Sequence, residues 1–334
     1  MSANDAAADT TGNEELKRLA ENFQSDDADV IIRAGGVDFA TYKFILSHAS
    51  TIFKDMFTLP RNEAAQEGLP VVEVTEDAQT IHNLLSFLHY NTEDPDLSDL
   101  CAIHRILLAS RKYDIAKLKT RIAKRLQAKA PENPARVFAI AYHAMLPDVV
   151  RIAAQHTLSV ERSELILSFT PENHSISAEV FQNLIRYHTL CGEVAQAQLG
   201  AQQASNVCTG MPSDWSWFGC AECQPPTLEC PGGSSLVRLR LQGSKKSRSL
   251  EVYPKKWWLD YLAYLGEKLK VQPASVDFAD RDLLQRCSHV SSKCATCGPR
   301  AIPDLMKFAG LLEARVKSAV ANVELKLDDN DFMI

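Results

Sequence analysis

The chain has 334 residues, nine of them cysteine, and 36 basic against 42 acidic side chains give a net charge of −6. That mild acidity argues against binding nucleic acid by bulk electrostatics, and no apolar run approaches the roughly 18 residues of a membrane-spanning helix. An odd cysteine count without an export signal points to a reducing compartment, cytoplasmic or nuclear, and the length allows two domains with separate cores.

Residues 1–14 are small, polar and acidic, which predicts a disordered lead-in. They have neither the basic start nor the apolar stretch of a signal peptide. Leu16, Leu19, Ala20 and Phe23 are then spaced for one face of a helix. Val30 to Ile32, the Gly35-Gly36 turn and Val37 to Phe39 predict a β-hairpin. Two short helices follow, with Ile52, Phe53, Met56 and Phe57 as the stripe expected to be buried. Pro131 and Pro134 mark a break. Beyond it, amphipathic helices are predicted over 135–145, 148–158 and 178–201, with Pro147 at the first corner.

Asp29, Val30, Phe39, Lys43, Leu46, Ser50, Phe53, Met56 and Phe57 follow in the order and spacing that open a BTB/POZ domain. The chain resembles that family over about residues 27–128, the likeness continuing through a strand at Pro70 to Val74 and helices at Asp77 to Tyr90, Leu107 to Tyr113 and Leu118 to Leu126, with Tyr42 where the family has histidine. The resemblance implies an α+β fold: short β-strands flanked by a helical cluster over 15–128, then a helical extension over 129–204. It also implies protein–protein interaction. Some members scaffold transcriptional regulators, and others carry substrates to cullin-type ubiquitin ligases. The helix before the first strand implies a homodimer using Leu16, Leu19 and Phe23, and Asp29 and Lys43 match positions that line a charged groove at that interface. The cullin-contact pattern of ligase adaptors is not met, because Met56-Phe57 runs into Thr58-Leu59-Pro60 and Glu63 comes later. The overall layout looks like BTB proteins of filamentous fungi.

The last stretch, 205–334, is rich in cysteine and tryptophan. Cys220 and Cys223 form one C-x-x-C pair, Cys294 and Cys297 another with Gly298 after it, and Cys230 and His289 lie close by in sequence. A two-residue spacer lets both thiolates of a pair reach one metal, so the four cysteines predict a structural zinc, with Cys230 and His289 as alternates. The gap of ~70 residues is long for a zinc ribbon and implies an inserted subdomain. A redox C-x-x-C is disfavoured, because neither pair opens a helix after a βαβ strand.

Within the gap, Val237, Leu239 and Leu241 alternate with Arg238 and Arg240 as in a half-buried strand. Arg238, Arg240, Lys245 and Lys246, followed by Trp257 and Trp258, could grip a nucleic-acid backbone or stack on bases. The favoured alternative is a solvated strand face, with the tryptophans in the core of a helix over 257–269. No G-x-S-x-G, H-E-x-x-H or P-loop pattern occurs. His48 reads as structural, and His82 and His89 share a helix face without a partner carboxylate. The sequence thus predicts a non-catalytic protein that homodimerises and scaffolds an unknown protein partner. Two alternatives stand beside it: a nuclear regulator binding nucleic acid through its basic tail, or a substrate adaptor of a cullin-type ligase.

Overall fold

The structure, a computed structural model, describes residues 18–59, 68–89, 92–168, 172, 174, 176–218, 220, 237–240 and 249–327. The chain divides into two compact units, 1–153 and 154–334, the division falling inside the helix Pro147–Thr157.

In the first unit, β1 (Val30–Ala34) and β2 (Val37–Thr41) form the expected hairpin, paired from Val30↔Thr41 to Ala34↔Val37. Gly35 and Gly36 make its turn at φ 53° and 79°, a left-handed pair that side chains with a Cβ resist. The chain crosses over through α1 (Lys43–Ala49) and α2 (Thr51–Thr58) to β3 (Val71–Val74), which runs parallel to β1. The order β2-β1-β3 puts β1 in the centre, so Val30, Ile32 and Ala34 on one of its faces are buried.

The helices α3 (Ala78–Leu88), α4 (Leu100–Lys112), α5 (Ala116–Ala128), α6 (Pro134–His143) and α7 (Pro147–Thr157) follow. Their starts are chemically marked. Asp77 accepts Thr80 N at 2.7 Å, Asp99 accepts Ala102 N at 3.0 Å, and Pro134 occupies the first turn of α6. The Asp99 cap starts α4 at Leu100, well before the Leu107 expected from the family resemblance. The predicted stripe on α2 is only partly interior. Phe53 is buried, Ile52 is exposed, and Met56 and Phe57 are half-buried, because α2 covers the core with a single edge.

The second unit holds α8 (Arg162–Leu167), α9 (Ala178–Ala197), α10 (Ala201–Ser205), β4 (Val237–Arg240), β5 (Ser249–Val252), α11 (Lys256–Val271), α12 (Arg281–Ser291) and α13 (Gly298–Ala321). β4 and β5 pair antiparallel, and Val237 and Leu239 are buried as their alternation requires. Sequence periodicity had not singled out β5. All four tryptophans are buried. Trp217 and Trp258 stack at 5.7 Å, and Phe308 of α13 packs against Trp215, Trp217, Trp258 and Tyr261. Among the described residues no helix is long and apolar enough to cross a membrane.

Candidate functional site

The second unit gathers three cysteines into one cluster. The segment before Cys220 is clamped to the start of α13: Arg300 donates to the carbonyls of Ser213 (3.1 Å) and Asp214 (2.9 Å), and Asp304 accepts Ser216 N at 2.9 Å. Trp217 O accepts Lys255 N at 2.9 Å, tying the same segment to the chain just before α11. Cys220 is thereby carried to the second C-x-x-C pair.

The sulfurs of Cys220, Cys294 and Cys297 lie within 4.8 Å of one another, and those of Cys220 and Cys294 are 3.5 Å apart. Thiolates on a tetrahedral zinc, each at about 2.3 Å, are spaced by about 3.8 Å. The Cys220–Cys294 separation is thus close to the edge of such a tetrahedron, and an all-sulfur donor set suits a soft metal. Cys297 N donates to Cys294 Sγ at 3.4 Å. Cys297 is buried, its thiol directed to Ser216 O at 3.6 Å.

Cys223 and Cys230 lie outside the described residues. His289 is exposed on α12 and does not belong to the cluster. The pair Cys294–Cys297 does open a helix, α13, but it follows α12 rather than a strand. Gly298 serves by close approach, since a Cβ there would lie 3.2 Å from Ser292 Cα. The other described cysteines of this unit have the opposite character. Burial pushes the thiols of Cys191 and Cys287 up to about 11 and that of Cys208 up to about 12, so they remain neutral packing groups.

Of the basic residues singled out, Arg238 on β4 pairs with Glu251 of β5 at 2.9 Å. Lys245 and Lys246 lie outside the described residues, as does the Arg240 side chain. The burial of Trp257 and Trp258 removes both rings from any role in stacking on bases.

In the first unit, Leu16 lies outside the described residues, while Leu19 and Phe23 sit in an arm folded onto α3. His82 Nδ1 donates to Leu19 O at 2.8 Å, and the Phe23 ring meets His82 and His89 edge-on at 5.7 and 5.3 Å. Phe23 is only 2% exposed in the single chain. The two histidines seven residues apart, without evident purpose in the sequence, are therefore the seat of this aromatic side chain. Tyr42, the departure from the family's histidine, reaches the same arm: its hydroxyl lies 2.7 Å from Asp27 and 2.9 Å from Ser25. Asp29 accepts the backbone N–H of Lys43 at 2.7 Å and so secures the start of α1. His48, in the last turn of α1, is exposed and stacks on Phe44.

Hairpin, parallel third strand and helical cluster are the parts of one known domain. The family model of the BTB/POZ domain matches residues 19–130, so this segment is a BTB/POZ domain, a protein-interaction module, followed by a mostly helical extension. No curated protein matches the chain.

Proposed function

We propose that the chain is a non-catalytic scaffold that self-associates through its BTB/POZ domain and presents its C-terminal unit, stapled by zinc, to a protein partner. The observation that carries self-association is the apolar surface on and just after the first two helices. Phe44 is 79% exposed, Leu59 65% and Ile52 37%. Large apolar side chains exposed along one short stretch of chain favour burial against a second copy, and an isologous pair is the commonest way to bury them. The zinc reading rests on the three converging thiols, with Cys223 as the fourth ligand. The tail's basic residues lend less support to nucleic-acid binding, since Arg238 is already paired.

Native mass spectrometry of the full-length protein tests both parts in one spectrum. A dimer with one zinc per chain is expected, Phe44→Asp should give a monomer that keeps its zinc, and Cys294→Ser a dimer that loses it. A monomer at micromolar concentration removes the self-association, and a metal-free chain from zinc-supplemented expression removes the staple.

A further inference from the structure

Two C-x-x-C pairs invite the expectation that each cysteine reacts with its own neighbour in sequence. The fold makes a different pair proximal. Cys220 Sγ lies 3.5 Å from Cys294 Sγ, although 74 residues separate them, and both side chains are partly accessible. A disulfide has its sulfurs about 2.05 Å apart, so about 1.5 Å of approach closes the bond. The third sulfur of the cluster is less available, because Cys297 is 1% exposed and turned to Ser216 O. The anchored backbone on either side, Ser216 on Asp304 and Arg300 on Ser213 and Asp214, holds the reacting pair in register.

We propose that Cys220 and Cys294 form a disulfide site responsive to hydroperoxides, and that oxidation there releases the zinc. The second clause rests on the zinc reading, whereas the first needs only the geometry of the two sulfurs. One thiolate attacks a peroxide oxygen, the O–O bond breaks, and the sulfur becomes a sulfenic acid while the departing oxygen takes a proton. The other thiolate attacks that sulfur, and hydroxide leaves as water once protonated. Two thiols and one hydroperoxide thus give one disulfide, one water and one alcohol, or a second water from hydrogen peroxide. The sulfurs lose two electrons and the peroxide gains them. Once the bond exists, two of the metal's ligands are consumed, so metal and disulfide exclude each other.

The test treats full-length protein, with and without zinc loading, with hydrogen peroxide. It is digested without reduction, cross-links are located by tandem mass spectrometry, and released zinc is followed with a colorimetric chelator. The expected product joins Cys220 to Cys294, disappears on reduction with dithiothreitol, is absent from Cys220→Ser, and persists in Cys297→Ser. Zinc-loaded protein should release one zinc per disulfide formed. A cross-link inside either C-x-x-C pair, or loss of the product in Cys297→Ser, overturns the proposal. Bound zinc retained under excess peroxide with no Cys220–Cys294 link also overturns it and leaves the zinc reading intact. The Cys220–Cys294 link in a chain that takes up no zinc supports the disulfide site and sinks the zinc reading alone.

Discussion

Tyr113 donates its phenolic hydrogen to Glu76 across 2.5 Å, joining the end of α4 to the segment between β3 and α3. The same ring stacks on Phe53 of α2 at 4.5 Å, and its carbonyl accepts the hydroxyl of Ser50, the residue that also caps α2. One residue therefore holds α2, α4 and the approach to α3. Tyr113→Phe keeps the ring and removes the bond, so it should cost the first unit about 2 kcal/mol, the scale of a hydrogen bond to a charged group. Urea denaturation measures this, and a loss below about 0.5 kcal/mol would mean that the bond is dispensable.

The arm is held by the edge-on seat of Phe23 between His82 and His89. Phe23→Ala should remove about 3 kcal/mol, the usual cost of emptying a buried aromatic site. It should also free the arm, so that trypsin cleaves after the exposed Arg18 much faster than in the parent protein. An unchanged cleavage rate would show that the seat does not retain the arm.

In the second unit, α9 passes α11 at Gly192, where an added Cβ would collide with the Lys270 carbonyl oxygen. The obstacle is backbone, so it cannot swing away as a side chain would. Gly192→Ala should force the helices apart at a cost of about 3 kcal/mol, the upper range for overpacking. Differential scanning calorimetry should show the transition of the second unit lowered and that of the first unmoved. Equal displacement of both would contradict the division into two units.

Burial holds the His89, His143 and His188 imidazoles below their ordinary 6.5, with Arg111 adding to the effect at His143. As pH falls below that value, the unfolded chain takes up protons that the folded chain refuses, so stability is lost through this window. Glu76 acts lower down. Burial opposes its charge, but hydrogen bonds from Lys112 and Tyr113 outweigh burial and depress its pKa, so its contribution is present above 4.5 and lost below. The melting temperature should therefore be level above about pH 7 and fall in two stages on acidification. His89→Gln should shrink the first stage, and a melting temperature constant from pH 7.5 to 5.5 would contradict the histidine assignment.

Much of the first unit was legible in its residues because its signals are local. Gly35-Gly36 dictates a left-handed turn and the β-branched run Val30 to Ile32 dictates a strand, whereas the Asp99 cap that starts α4 at Leu100 went unread. Legibility failed where burial depends on what lies opposite. Ile52 shares the helical spacing of Phe53, yet only Phe53 meets Tyr113. In the same way β5 is too short and too polar in its outward residues to stand out until β4 lies beside it.

By itself, the sequence carried a BTB/POZ resemblance over about residues 27–128, where the family model matches 19–130, and two cysteine pairs with metal-ligand spacing. Only the tertiary structure decided that Cys220 faces Cys294 and that His82 and His89 flank Phe23. The physical reason is range. Spacing encodes the dihedral angles and period of one segment, whereas proximity across 74 residues arises from helices packing on a shared core. That packing is written into no single stretch of the chain.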